Sequence, residues 1–311
     1  MNFLAQYGLF ALKAFTLVIA ILVLFAGMLA LGRRPKPKLE IISLNEAAAD
    51  ITAQMQKEIF GKKSKVKKTK PTEKPNLYVI DFHGDIKASA VEELRNEITA
   101  ILALATTQDK VVIRLESPGG SVNGYGLAAS QLQRIREKNI PLSVCIDKIA
   151  ASGGYLMACV ANEIIAAPFA IIGSIGVVAQ FPNFHRLLKK NNIDVELLTA
   201  GEYKRTLTLF GENTEKGRQK FIEDLEQIHH QFREYVLANR PQLDIDKVST
   251  GEHWLARDAQ TRHLVDILQT SDDYLNQQMQ HYRCFKIALP TAKNRIAKLL
   301  KPALQLIHPW S

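Results

Sequence analysis

From Leu77 onward the sequence alternates short apolar runs with segments of helical periodicity, and that alternation admits few folds. The spacing predicts strands at Leu77–Phe82, Val111–Leu115 and Leu142–Ile146, with helices at Val91–Leu104 and Tyr125–Lys138. Another helix, Gly153–Ala161, opens directly after Ser152. Repeats of this kind connect parallel strands through crossover helices, so the expected fold is α/β, with a layered, largely parallel sheet. Ligands of such sheets bind where strands give way to helices. Ser152 and the Pro118-Gly119-Gly120 turn both stand at such junctions.

Three spaced segments carry groups suited to acyl transfer: Ser117-Pro118-Gly119-Gly120, Ala150-Ala151-Ser152-Gly153-Gly154-Tyr155 and Gly201-Glu202-Tyr203-Lys204-Arg205. A serine hydroxyl becomes a useful nucleophile when a base takes its proton, and lysine serves as that base only while burial or nearby cations keep it neutral. Ser152, flanked by small residues, is the expected nucleophile. Lys204, after a predicted strand at Val195–Thr199, is the expected base, and Ser174 in Ile172-Gly173-Ser174-Ile175-Gly176 is a hydroxyl able to orient its amine. The Gly153 N–H and that of Gly119 or Gly120, with Gly119 preferred, are the expected oxyanion donors. Taken singly, each piece has an ordinary reading. Gly-Gly is common turn punctuation, and one lysine among 40 Lys and Arg is usually a solvated surface residue.

In combination these motifs resemble the SppA/SohB family of membrane-associated serine peptidases, relatives of signal peptide peptidase A with a ClpP/crotonase-like fold. The resemblance rests on the segments Ser117–Gly120, Ala150–Tyr155, Gly173–Val177 and Gly201–Lys204 and spans about residues 40–285. Thr250–Trp254 and Leu264–Asp266 look like the family's closing strand and helix. The half-length chain, the N-terminal apolar segment and the basic linker match the shorter, SohB-like members. The resemblance implies Ser152 as nucleophile, Lys204 as base, Ser174 as the lysine's partner and Gly119 with Gly153 as oxyanion donors. It also implies a peptide or protein substrate, no cofactor, and ring-shaped homo-oligomers in which serine and lysine come from adjacent subunits. In one departure, His263 stands before Leu264-Val265-Asp266 where family members usually have glycine.

Ala14–Leu31 is an 18-residue stretch without charge, about 27 Å long as a helix, which matches the hydrocarbon core of a bilayer. A cleaved signal peptide has a shorter apolar region, so the expected role is an uncleaved, single-pass anchor in contact with membrane lipid. Residues 1–75 hold 13 Lys or Arg against 5 Asp or Glu, a net +8 of the chain's +9. Most of these cations follow the apolar stretch: Arg33, Arg34, Lys36 and Lys38, then the run from Lys62 to Lys70. The positive-inside rule then puts the bulk of the chain on the cytoplasmic side of a bacterial inner membrane. The lysine run carries no interleaved aromatics, so anionic headgroups rather than nucleic acid are its expected partner.

The expected organisation is an anchor with basic flank over residues 1–38, a helical and lysine-rich linker over 39–75, a peptidase domain over 76–285, and a basic amphipathic tail over 286–311. Cys145, Cys159 and Cys284 form no spaced set, which argues against a disulfide framework or a zinc site. His229 and His230 are adjacent on a predicted helix, Thr214–Leu237, and do not share a face. His83 and His185 remain open as bases, since triads assemble through space. Tyr155–Phe181 is apolar but broken by Asn162, Glu163, Pro168 and two glycines, which predicts core strands rather than a second span. Two other classes stay open on sequence alone: a crotonase-like acyl-CoA enzyme, and a non-catalytic membrane ring scaffold.

Overall fold

The computed structural model describes residues 3–32, 39–61 and 74–289. The basic flank 33–38, the lysine-rich run 62–73 and the tail from residue 290 lie outside the described residues, and with them most of the cations that carry the topology argument.

The first helix, α1 (Phe3–Gly32), belongs to one unit and residues Leu39–Leu289 form another. Its segment Tyr7–Phe25 has a mean hydropathy of 2.5 and buries none of its length, so by length and composition it can cross a membrane. Among the described residues no other helix meets that description.

The larger unit opens with β1 (Glu40–Ser43), α2 (Leu44–Phe60), β2 (Asn76–His83), α3 (Val91–Leu102) and β3 (Lys110–Glu116). It continues through α4 (Val122–Glu137), β4 (Leu142–Ile146), β5 (Ile149–Ala151), α5 (Gly153–Ala158), β6 (Glu163–Ala166) and β7 (Ile171–Gly173). After α6 (His185–Lys190) and the long α7 (Glu215–Asn239) come α8 (Ile245–Val248), β8 (His253–Leu255) and α9 (Ala256–Thr261). The unit closes with β9 (Ile267–Leu268), α10 (Ser271–Gln278) and β10 (Arg283–Ala288).

Seven strands form one sheet in the order β1-β10-β2-β3-β4-β6-β9, parallel throughout except for the edge pair β1 and β10. The central strands are apolar because both faces are covered, and every residue of β4 is buried. One face, with Ile80, Phe82, Ile113, Leu115 and Val144, packs on α3, α4 and α5; the other, with Leu77, Val79, Val112 and Cys145, packs on α10. A smaller sheet, β5-β7-β8, joins the end of β3 through a parallel bridge between Ser117 and Ala150. This bridge brings the two glycine motifs together. The apolar stretch Tyr155–Phe181 contributes α5, β6 and β7 to the core, as the sequence predicts.

Three expectations are corrected. The folded unit begins at Leu39 and not near Asn76, because β1 pairs with β10 and the Asn45 side chain on α2 binds the backbone at Met279, Tyr282 and Cys284. α2 is closed at both ends, by Ser43 accepting the Glu46 N–H and by Gly61 at φ 57°. Lys286–Ala288, expected in the tail, completes β10. No strand forms at Val195–Thr199; no neighbouring strand pairs with it, and Val195 and Leu197 are left 44% and 49% exposed.

Candidate active site

Ser152 is the residue between β5 and α5, and its backbone is held at φ 51°, ψ −119°. A non-glycine residue in this region costs about 1–3 kcal/mol, and such strain concentrates at functional positions. The conformation is held from both sides: the Ser152 N–H donates to the Gly173 carbonyl at 2.8 Å, and its carbonyl accepts from Leu156 at 3.0 Å. Following it, Gly153 packs so closely on Tyr125 that a Cβ there would lie 2.4 Å from the ring.

Gly119 lies against this junction. It has φ 89°, and a Cβ would stand 2.7 Å from Ser152 Cβ and 2.8 Å from the Gly153 nitrogen. Gly119 and Gly153 therefore both lie against Ser152. The Gly153 N–H, first of its helix, has no acceptor among the described residues. The Gly119 N–H donates to Ser117 Oγ at 3.1 Å. Ser117 is fully buried and its hydroxyl lies 2.6 Å from Tyr125 Oη, which itself donates to the Asp85 carbonyl at 2.9 Å. Burial pushes the Tyr125 phenol up, although the bond to Ser117 opposes this, so it stays a neutral hydrogen-bonding group. Ser117 and Tyr125 thus fix the Gly119 turn, a role the sequence reading missed. The available signal was a serine two residues before a turn glycine, the spacing of a side-chain-to-backbone turn.

Ser174 follows β7 at φ 54° and donates its N–H to the Glu252 carbonyl at 2.6 Å. Ser152, Ser174, Gly119 and Gly153 all line one cavity of about 1120 Å³. Its walls come from the α4, α5 and α7 helices and from the turns after β3 and β7. No Asp, Glu, Lys or Arg lines it among the described residues, whereas His229 does. An imidazole base needs a carboxylate or similar group to orient it, and the cavity lining supplies none. His83, 3.7 Å from Glu116, and His185 at the start of α6 are outside the lining.

Lys204 is not brought to this cavity within the single chain. It stands exposed in a turn, its N–H donating to the Gly201 carbonyl at 3.2 Å. That turn is tethered to α7: Glu202 pairs with Lys216, and Tyr203 lies beneath Lys216 and Lys220 at 5.9 and 6.0 Å. The hydrogen bond from Lys216 holds the Glu202 carboxyl below its usual range.

His263 takes up φ 61°, the backbone that glycine would adopt without strain. Its carbonyl accepts from Arg240, which also grips Asp266 with bonds of 2.6 and 2.8 Å. The buried Tyr155 hydroxyl donates to the neighbouring Leu264 carbonyl at 3.1 Å. The turn is therefore kept despite the substitution, and it braces α5 from behind. All three cysteines are buried, and burial pushes each thiol up, Cys284 to about 11. They are inert packing groups.

Residues 134–284 match the model of peptidase family S49, and residues 2–132 match that of the family's N-terminal region. A "Probable protease SohB" from Buchnera aphidicola subsp. Schlechtendalia chinensis is 50% identical, with 88% of this chain and 99% of the relative covered. The chain belongs to peptidase family S49. Another "Probable protease SohB", from Haemophilus influenzae, is 43% identical over 100% of this chain and 97% of its own length. Among solved structures, a 1510-N membrane-bound stomatin-specific protease K138A mutant in complex with a substrate peptide aligns at a TM-score of 0.46 and 14% identity, over 74% of this chain and 100% of that one. This S49 peptidase has the layered, parallel-rich α/β architecture expected of a ClpP/crotonase-like fold with an N-terminal apolar helix.

Proposed function

We propose that this peptidase is a membrane-anchored serine endopeptidase that cuts peptides or unfolded, membrane-proximal segments with a Ser152/Lys204 dyad. The observation carrying this reading is the strained Ser152 set against Gly119 and Gly153 in a cavity whose described lining holds no Asp, Glu, Lys or Arg. Ser152 Oγ attacks the scissile carbonyl carbon while its proton passes to the neutral amine of Lys204. The Gly153 and Gly119 amides hold the oxyanion, which requires the Gly119 N–H to leave Ser117 Oγ and turn to the substrate. The C–N bond breaks as Lys204 returns the proton to the leaving amine. A water, deprotonated by Lys204, then attacks the acyl carbon and frees Ser152.

Because Lys204 is exposed and outside the cavity of its own chain, the dyad is completed between copies, Lys204 of one entering the cavity of the next. Ser174, on the cavity wall, accepts or donates a hydrogen bond to orient the Lys204 amine. α1 anchors the protein in the bacterial inner membrane, with the peptidase unit on the cytoplasmic side by the positive-inside rule. No cofactor takes part in these steps.

The test is peptide hydrolysis and fluorophosphonate labelling by the wild-type chain, Ser152→Ala and Lys204→Ala, with oligomeric state recorded by light scattering. Both variants should assemble and lose activity by more than about 1000-fold. Labelling should disappear in Ser152→Ala. Full activity in Lys204→Ala would remove lysine as the base, and an assembled wild type that neither labels nor cleaves would favour a scaffold.

A further inference from the structure

The dyad chemistry has no use for α2, a 17-residue helix without one buried residue. Its apolar side chains follow the i, i+3, i+4 spacing of a single face: Leu44, Ala48, Ile51, Met55 and Ile59. The face starts against the protein, where Leu44 packs on the cluster that holds Leu77 and Cys284, and where Asn45 binds the backbone at Met279, Tyr282 and Cys284. Beyond that first turn it is bare. Ile51, Met55 and Ile59 are each more than half exposed. Exposed apolar surface of this extent on a helix marks a contact.

Tether length and charge favour a bilayer as the covering. Residues 33–38 separate Gly32, at the end of α1, from Leu39, where the larger unit begins, and a chain of that length spans at most about 25 Å. The chain itself therefore keeps β1 and α2, which open the unit, close to any bilayer that α1 crosses. α2 holds Glu46, Asp50 and Glu58 against Lys57, but residues 33–70 together hold 11 Lys or Arg against 4 Asp or Glu, a net +7. Most of these cations flank the helix in sequence, in stretches outside the described residues. An apolar stripe beside basic residues suits an anionic headgroup layer. A second copy of α2 would instead bring like charges together. We propose that α2 lies in the headgroup region of the anionic bilayer that α1 crosses, with Ile51, Met55 and Ile59 turned toward the acyl chains. The inference rests on α1 being the membrane anchor. α2 then holds the peptidase unit to the surface, where membrane-proximal segments are presented.

The experiment uses the full chain in vesicles of phosphatidylcholine and phosphatidylglycerol. Cys145, Cys159 and Cys284 are buried, so a thiol-reactive fluorophore labels a cysteine introduced on α2. Ile51→Cys and Met55→Cys report the apolar face, and Asp50→Cys and Lys57→Cys the opposite one. Thermal unfolding that matches wild type shows that each labelled chain is folded. With lipids brominated along the acyl chains as quencher, the apolar-face positions should be quenched at least about 3-fold more than the opposite ones. Equal quenching on both faces, or none on either, would overturn the inference. So would apolar-face probes that are shielded from aqueous iodide yet untouched by brominated lipid, a result that would assign the stripe to a protein contact such as a second copy. Flotation separates this inference from the anchor reading. A chain that floats with the vesicles but shows no face-dependent quenching leaves α1 as the anchor and removes only α2 from the surface, whereas a chain that does not float removes both.

Discussion

Residues 76–176 and residues 177–213 are built by opposite rules. In the first region the Ser152 backbone is held by hydrogen bonds to Gly173 and Leu156, and its neighbours Ile172 and Ile175 are fully buried. In the second, apolar side chains face outward, with Val178 87% and Leu198 89% exposed, although local contacts such as the stacked Phe184 and Phe210 hold the segment together. Ser152, the proposed nucleophile, sits where packing over-determines position. Lys204, the proposed base, sits on a segment whose apolar side chains are exposed, the kind of surface that marks a contact with another protein. Within a single chain the Ser152 turn is fixed by its packing, whereas the segment that carries Lys204 leaves apolar side chains exposed.

The rigid region is most sensitive at Gly119. Gly119→Ala puts a methyl within 3 Å of Ser152 and of the Gly153 nitrogen, on a backbone at φ 89°. It should reduce kcat/KM by about 100- to 1000-fold, the usual cost of losing an oxyanion donor. Unchanged peptidase kinetics would show that the turn plays no part.

On the exposed side, Leu198→Asp changes no buried contact in the single chain. It should leave thermal unfolding of the peptidase unit where it is while lowering activity about 10- to 100-fold and shrinking the oligomer, because a charge at a contact opposes association. Light scattering and kinetics read both effects, and full activity in an intact oligomer would count against this face as a contact.

The smallest effect sharpens the rigid side. Glu97 on α3 is 6% exposed and accepts the Leu289 N–H at 2.8 Å; burial, only partly offset by that bond, pushes its carboxyl up from 4.5 to about 7. Between about pH 4.5 and 7 the folded protein keeps a proton that the unfolded chain has lost, so stability falls as pH rises through this window. Glu97→Gln keeps the acceptor and removes the ionisation. It should be more stable than wild type by about 2 kcal/mol at pH 8 and equal to it at pH 4.5, in chemical denaturation.

The rigid region was also the legible one. β2, β3 and β4 are apolar runs because both faces of the sheet are covered, and this pattern survives in sequence whatever pairs with it. The glycines at 119 and 153 could be found because close approach leaves room for no other residue there. β1 could not: it is a four-residue edge strand with Ile41 and Ile42 exposed, and its partner β10 lies more than 200 residues away. Val195–Thr199 misled for a related reason, since alternation signals a strand only if another strand is there to pair with it. That His229 lines the cavity was hidden, because helical periodicity shows which residues share a face but not that the face borders a cavity.

The most direct test of a half-site completed by another copy is to co-express the full-length Ser152→Ala and Lys204→Ala chains, each inactive alone, and assay the mixed oligomer on peptide. If Lys204 serves the Ser152 of a neighbour, random assembly leaves about one site in four with both residues intact, and about a quarter of wild-type activity should return. Mixed oligomers that remain inactive would place serine and lysine of each working site in the same chain and contradict the account.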